Sequence, residues 1–110
     1  MGASFGPIPV ALEPRIKVAA FAAAGLRYTS PPEVLPANFA PQVKVPVLMI
    51  NGKDDFGATQ AEIQRFFELL GTPPHLKRSV VFEGGHVPED SKTQFRAVLD
   101  WFDTHLGPVK

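Results

Sequence analysis

Residues 45–50 read Val-Pro-Val-Leu-Met-Ile, six positions without a polar side chain, and Asn51-Gly52 ends the run. A strand with one wet face alternates apolar and polar residues, whereas an unbroken apolar run belongs to a strand covered on both faces. Such a strand sits in a parallel sheet with helices on either side, which points the chain to an α/β design. The downstream sequence agrees. Thr59 and Glu62 have capping-box spacing. Ile63, Phe66, Phe67 and Leu70 follow at i, i+3, i+4 and i+7, the stripe of an amphipathic helix, with Gly71 as a natural C′ residue. Residues 78–83 include Ser-Val-Val-Phe, a third short strand that Gly84-Gly85 breaks. Ser91 and Gln94 repeat the capping-box spacing. Phe95, Val98, Leu99 and Phe102 form a second stripe, which Gly107-Pro108 ends.

Upstream, residues 16–24 are a nearly unbroken apolar run between Pro14 and Gly25. Periodicity allows a strand or a buried helix, and the short length favours a strand. Residues 7–13 are mostly apolar and have room for one short helix. Residues 28–46 contain Pro31, Pro32, Pro36, Pro41 and Pro46, and are expected to form a long irregular connection in which no helix fits comfortably, with Val34, Leu35 and Phe39 as anchors. The expected fold is α/β: about three parallel strands with flanking helices, in one partial domain over residues 1–110.

Lys plus Arg and Asp plus Glu balance at 11 each, so no net field draws the chain to nucleic acid or to an anionic membrane. No apolar run reaches the ~20 residues of a membrane span, and residues 1–7 lack the pattern of a signal peptide. A cytoplasmic location is the default expectation. Cysteine is absent, which excludes disulfides and thiolate metal sites, and His75, His86 and His105 show no i, i+4 pairing that would suggest a metal.

Ligands of open parallel sheets bind at the carboxyl ends of the strands. Asp55 follows the second expected strand, in Asn-Gly-Lys-Asp-Asp-Phe, and His86 follows the third, in Phe-Glu-Gly-Gly-His-Val-Pro. An acid and then a histidine, each on a strand-end loop, is the chain order of a Ser…Asp…His triad. Either residue alone would more often be a turn former. The two together at neighbouring strand ends form an acid–base candidate, with Asp54 as the alternative acid. His75, in a loop after two prolines, and His105, near a helix C-terminus, are read as structural or surface residues.

The chain resembles α/β-hydrolases of the prolyl-oligopeptidase or dienelactone-hydrolase type. The resemblance runs through Ala-Leu-Glu-Pro-Arg-Ile-Lys at 11–17, Asn-Phe-Ala-Pro at 38–41, Val-Pro-Val-Leu-Met-Ile-Asn-Gly-Lys at 45–53, Leu-Gly-Thr-Pro-Pro at 70–74, Gly85-His86 and Leu-Asp-Trp-Phe at 99–102, and covers essentially the whole chain. It implies a serine hydrolase of esterase or peptidase type that works through an acyl-enzyme without metal or organic cofactor, with Asp55 as acid, His86 as base, and an ester or peptide as substrate. It also implies the C-terminal part of such a domain. The turn after Asp55, Phe56-Gly57-Ala58-Thr59, is smaller than the aromatic-rich, proline-ended turn usual in similar proteins.

Gly2-Ala3-Ser4-Phe5-Gly6 matches the nucleophile-elbow pattern G-x-S-x-G, which makes Ser4 a candidate nucleophile. An elbow needs a strand before it, and only Met1 precedes Gly2. It also needs a helix after it; Pro7 suits a helix start, but Pro9 leaves little room before Pro14, so only a short one fits there. The spacing to the Glu-Pro-Arg element in similar sequences puts the nucleophile just ahead of Met1 instead. The 110 residues alone are therefore expected to have little or no hydrolase activity. The alternative expectation is a non-catalytic interaction module, or a subunit that completes another chain, associating through an exposed sheet edge.

Overall fold

The computed structural model describes residues 5–23, 33, 35–55, 59–86 and 90–107. Ser4, residues 28–32 and Val34 of the proline-rich connection, the turn at 56–58 and residues 87–89 lie outside them.

Three parallel strands form the sheet: β1 (Ala19–Ala22), β2 (Val47–Gly52) and β3 (Lys77–Phe82), in the order β1-β2-β3. The register pairs Ala19 with Val47 and Val47 with Lys77, and brings Gly52 opposite Phe82 at the carboxyl end. The central strand β2 is buried at all six positions, as a run without alternation requires. The edge strands are less covered, and β1 is shorter than the apolar run that contains it.

Side chains alternate across β2. Val47 and Met49 join Ala19 and Phe21 of β1 in the main core. Helix α3 (Gln60–Leu69) and the residue after it close that core with Ile63, Phe66 and Leu70. The Phe21 and Phe66 rings meet edge to face with centroids 5.8 Å apart. Thr59 caps α3 as its spacing foretells: its Oγ1 accepts from Glu62 N–H and donates to Glu62 Oε1, both at 3.2 Å. The other end of α3 is held from the sheet. Lys77 Nζ donates to the Phe67 and Leu70 carbonyls at 2.7 and 3.3 Å and lies over the Phe67 ring. Partial desolvation there lowers the Lys77 pKa below its ordinary value.

Some expectations change. A helix, α1 (Pro7–Leu12), does form after Ser4. Gly6 is its N-cap, so Pro7 and Pro9 fall at the first and third helical positions, where a backbone N–H has no intrahelical partner in any case. The prolines therefore leave room for the short helix behind the elbow pattern. For a similar reason the proline-rich connection is not wholly irregular. Pro36 and Pro41 fit the first turns of a four-residue helix, α2 (Pro36–Phe39), and of the 3-10 turn that follows it, Ala40–Gln42.

Gly71 does not have the left-handed backbone of a C′ glycine. It is small because a Cβ there would collide with the Pro41 carbonyl oxygen. The last helix, α4 (Ser91–Leu106), is capped by Asp90 rather than Ser91, with Asp90 Oδ1 accepting from the Lys92 and Thr93 amides at 3.1 Å. Gly107, at φ +83°, ends it. α4 lies on the face of the sheet opposite α3, across a cleft lined by Leu48, Val80, Phe82, Ala97 and Trp101. None of its residues is fully buried.

Candidate active site

Parallel pairing of β2 and β3 brings their carboxyl ends side by side, and the loops continue that pairing past the strands. Lys53 N–H donates to the Phe82 carbonyl at 2.8 Å and Asp54 N–H to the Gly84 carbonyl at 3.0 Å. Gln60, at the start of α3, donates from Nε2 to the Lys53 carbonyl at 3.2 Å. The chain then turns, and the next side chain, that of Asp55, points at the other loop.

His86 Nδ1 lies 3.2 Å from Asp55 Oδ2 and 3.3 Å from Oδ1. The Asp55 side chain is 0% exposed and that of His86 44%. This choice between the two acids is not arbitrary. Asp54 spends its backbone N–H on the seam between the loops, and Asp54 itself is exposed.

A carboxylate only accepts, so Nδ1 carries the proton that faces it and, in the neutral ring, Nε2 keeps its lone pair. The separation is at the long end of the hydrogen-bond range, as is common for catalytic pairs before substrate binds. A small recess beside the pair is lined by Ala23, Asn51, Gly52, Gly85, His86 and Gln94, among others. Ala23 follows β1 with φ +59°, a left-handed backbone rare for alanine, and its N–H donates to the Ile50 carbonyl at 2.7 Å.

The capping-box spacing pairs Gln94 with Ser91. Asp90 caps the helix instead of Ser91, and Gln94 faces the recess. The left-handed turn at Ala23 has no signal in the sequence, since alanine is not a residue that favours it. Ser4 lies outside the described residues, so its distance from His86 is not defined. His75 is exposed in the 3-10 turn before β3, and His105 packs on Trp101 with ring centroids 4.2 Å apart in the last turn of α4. Neither joins the Asp55–His86 contact. Among the described residues no group of three or more His, Cys, Asp or Glu could hold a metal ion, and no helix is long and apolar enough to cross a membrane.

No family model matches the chain, and no curated protein does. Solved structures do. A cold-adapted esterase from an Arctic intertidal metagenomic library aligns with a TM-score of 0.74 at 28% identity, over 92% of this chain and 44% of that one. An esterase from Pyrococcus furiosus aligns at 0.79 and 15% identity, over 97% of this chain and 51% of that one. The fold is part of the α/β-hydrolase fold. A candidate dienelactone hydrolase from Klebsiella pneumoniae, at 0.76 and 19% identity over 91% and 47%, has the same hydrolase architecture. The chain spans about half the length of these α/β-hydrolase structures.

Proposed function

We propose that Asp55 and His86 are the acid and base of a serine-hydrolase site that acts on ester bonds. The observation that carries this reading is the contact between a buried carboxylate and a half-exposed imidazole at adjacent carboxyl ends of parallel strands. In the proposed reaction Asp55 holds Nδ1–H, and Nε2 takes the proton of a serine hydroxyl as its oxygen attacks the ester carbonyl. The same proton passes to the departing alcohol, leaving an acyl-serine, and His86 then activates the water that hydrolyses it. Two structural neighbours are described as esterases, which favours esters over the peptide substrates also considered.

Helix α1 begins three residues after Ser4, so a helix follows the Gly2-Ala3-Ser4-Phe5-Gly6 pattern. The spacing to the Glu-Pro-Arg element in similar sequences favours a nucleophile other than Ser4, and because the chain spans about half the length of the matching structures, residues 1–110 are expected to turn over little ester by themselves. Incubation with a fluorophosphonate followed by intact-mass measurement tests this, and no stoichiometric adduct is expected. A full adduct that disappears in Ser4→Ala would make Ser4 the nucleophile.

One observation favours a second reading, an interaction module that completes another chain. Phe95, Leu99 and Leu106 of α4 are 69, 47 and 57% exposed, an apolar stripe that nothing among the described residues covers. Sedimentation that gives a monomer at every concentration would remove self-association from this reading.

A further inference from the structure

Gly52 ends β2 where the two site loops touch. A Cβ on it would overlap the Gly85 carbonyl oxygen and stand 2.8 Å from that of Gly84. Its φ is not in the left-handed region, so what it supplies is space and not backbone freedom. The tightness has one direction: a Cβ on Gly85 would meet nothing nearer than the Asp54 carbonyl oxygen, at 3.6 Å, an ordinary contact. The bonds from Lys53 to Phe82 and from Asp54 to Gly84 lie immediately beyond Gly52 and draw the loops together at this point. Asp55 is three residues further along one loop, and His86 directly follows Gly85 on the other.

We propose that Gly52 is a positioning residue for the Asp55–His86 pair, its missing side chain setting how closely the acid loop and the base loop approach. A methyl group there forces the Gly84–Gly85 backbone outward by on the order of 1 Å, and a bond already at 3.2 Å then passes the limit of hydrogen-bond reach. The inference rests on the acid–base reading of the pair, and the experiment separates the two.

The readout is the tautomer of neutral His86, measured by imidazole 15N NMR on the 110-residue chain. With Asp55 in place the Nδ1–H form is expected to dominate. Asp55→Ala should make it the minor form. If it does not, the reading of the pair fails and the inference falls with it. Gly52→Ala is expected to reproduce the Asp55→Ala result with Asp55 still present. If Asp55→Ala shifts the tautomer and a folded Gly52→Ala does not, the inference alone is wrong.

Gly71→Ala is the matched control, since its Cβ would overlap the Pro41 carbonyl oxygen away from these loops. It should lower stability and leave the tautomer alone. A shift as large as that of Gly52→Ala would reduce the effect to general loosening and overturn the proposal. Should Gly52→Ala not fold, Gly84→Ala strains the same seam from the loop side, because Gly84 has φ +112°. A folded Gly84→Ala with the wild-type tautomer would then overturn it.

Discussion

A carboxylate whose side chain is 0% exposed is costly unless groups around it favour its charge. Asp55 meets that requirement partly through His86, itself 44% exposed. The two substitutions of the pair should thus differ in stability. His86→Ala takes a donor from a buried charge and is expected to destabilise by about 1–3 kcal/mol. Asp55→Asn removes the charge along with the pair and keeps the shape, so its cost should be the smaller. Urea unfolding of both variants at neutral pH checks the order, and a larger loss for Asp55→Asn would mean that groups other than His86 dominate the carboxylate's surroundings.

At the level of elements, what could be read from the sequence was what depends on side-chain periodicity. The unbroken run gave β2, the i, i+3, i+4, i+7 stripe gave α3, and the capping-box spacing placed its start at Thr59. Asp55 and His86 were visible because strand ends collect ligands and both residues follow a strand. Hidden were features set by backbone approach, such as the crowding at Gly52 and Gly71, which no residue pattern encodes. Competing signals also hid features. Asp90 and Ser91 are both good caps, and the first wins by accepting from two amides and from the Thr93 hydroxyl.

Those bonds from Thr93 and Lys92 hold the Asp90 carboxyl below its ordinary value of 3.8. A lowered folded-state pKa gives stability that is present above the unfolded value and lost as pH falls through the folded one. Hydrogen-exchange protection of the α4 amides, corrected for the intrinsic rate, is therefore expected to fall below about pH 4. Asp90→Asn should flatten that dependence, because asparagine caps without titrating. Glu13 is also held low, by Arg15, but that exposed pair spans two residues near α1 and does not touch α4. An unchanged acid limb in Asp90→Asn would count against the cap as its source.

Across the whole molecule the two faces of the sheet are unequally closed. The α3 side holds the buried cluster, whereas α4 has no fully buried residue and leaves the Trp101 indole N–H buried without a hydrogen-bond partner among the described residues. Magnitudes decide what its open stripe can do. Fully burying an apolar side chain is worth about 1.5–3 kcal/mol, and Phe95, Leu99 and Leu106 are 69, 47 and 57% exposed, so the stripes of two copies together offer roughly 5–10 kcal/mol. Association costs about 4–15 kcal/mol before any gain appears. The stripe alone can therefore support only weak pairing, and tight association would need the edge of β1 as well, where a partner strand adds main-chain hydrogen bonds. The expected behaviour of the isolated chain is weak, concentration-dependent self-association in sedimentation equilibrium, reduced by Phe95→Ser with Leu99→Ser. A tight dimer that the double substitution leaves intact would place the contact on a sheet edge, at β1 or β3. A strict monomer would mean that neither surface suffices for two copies of this chain.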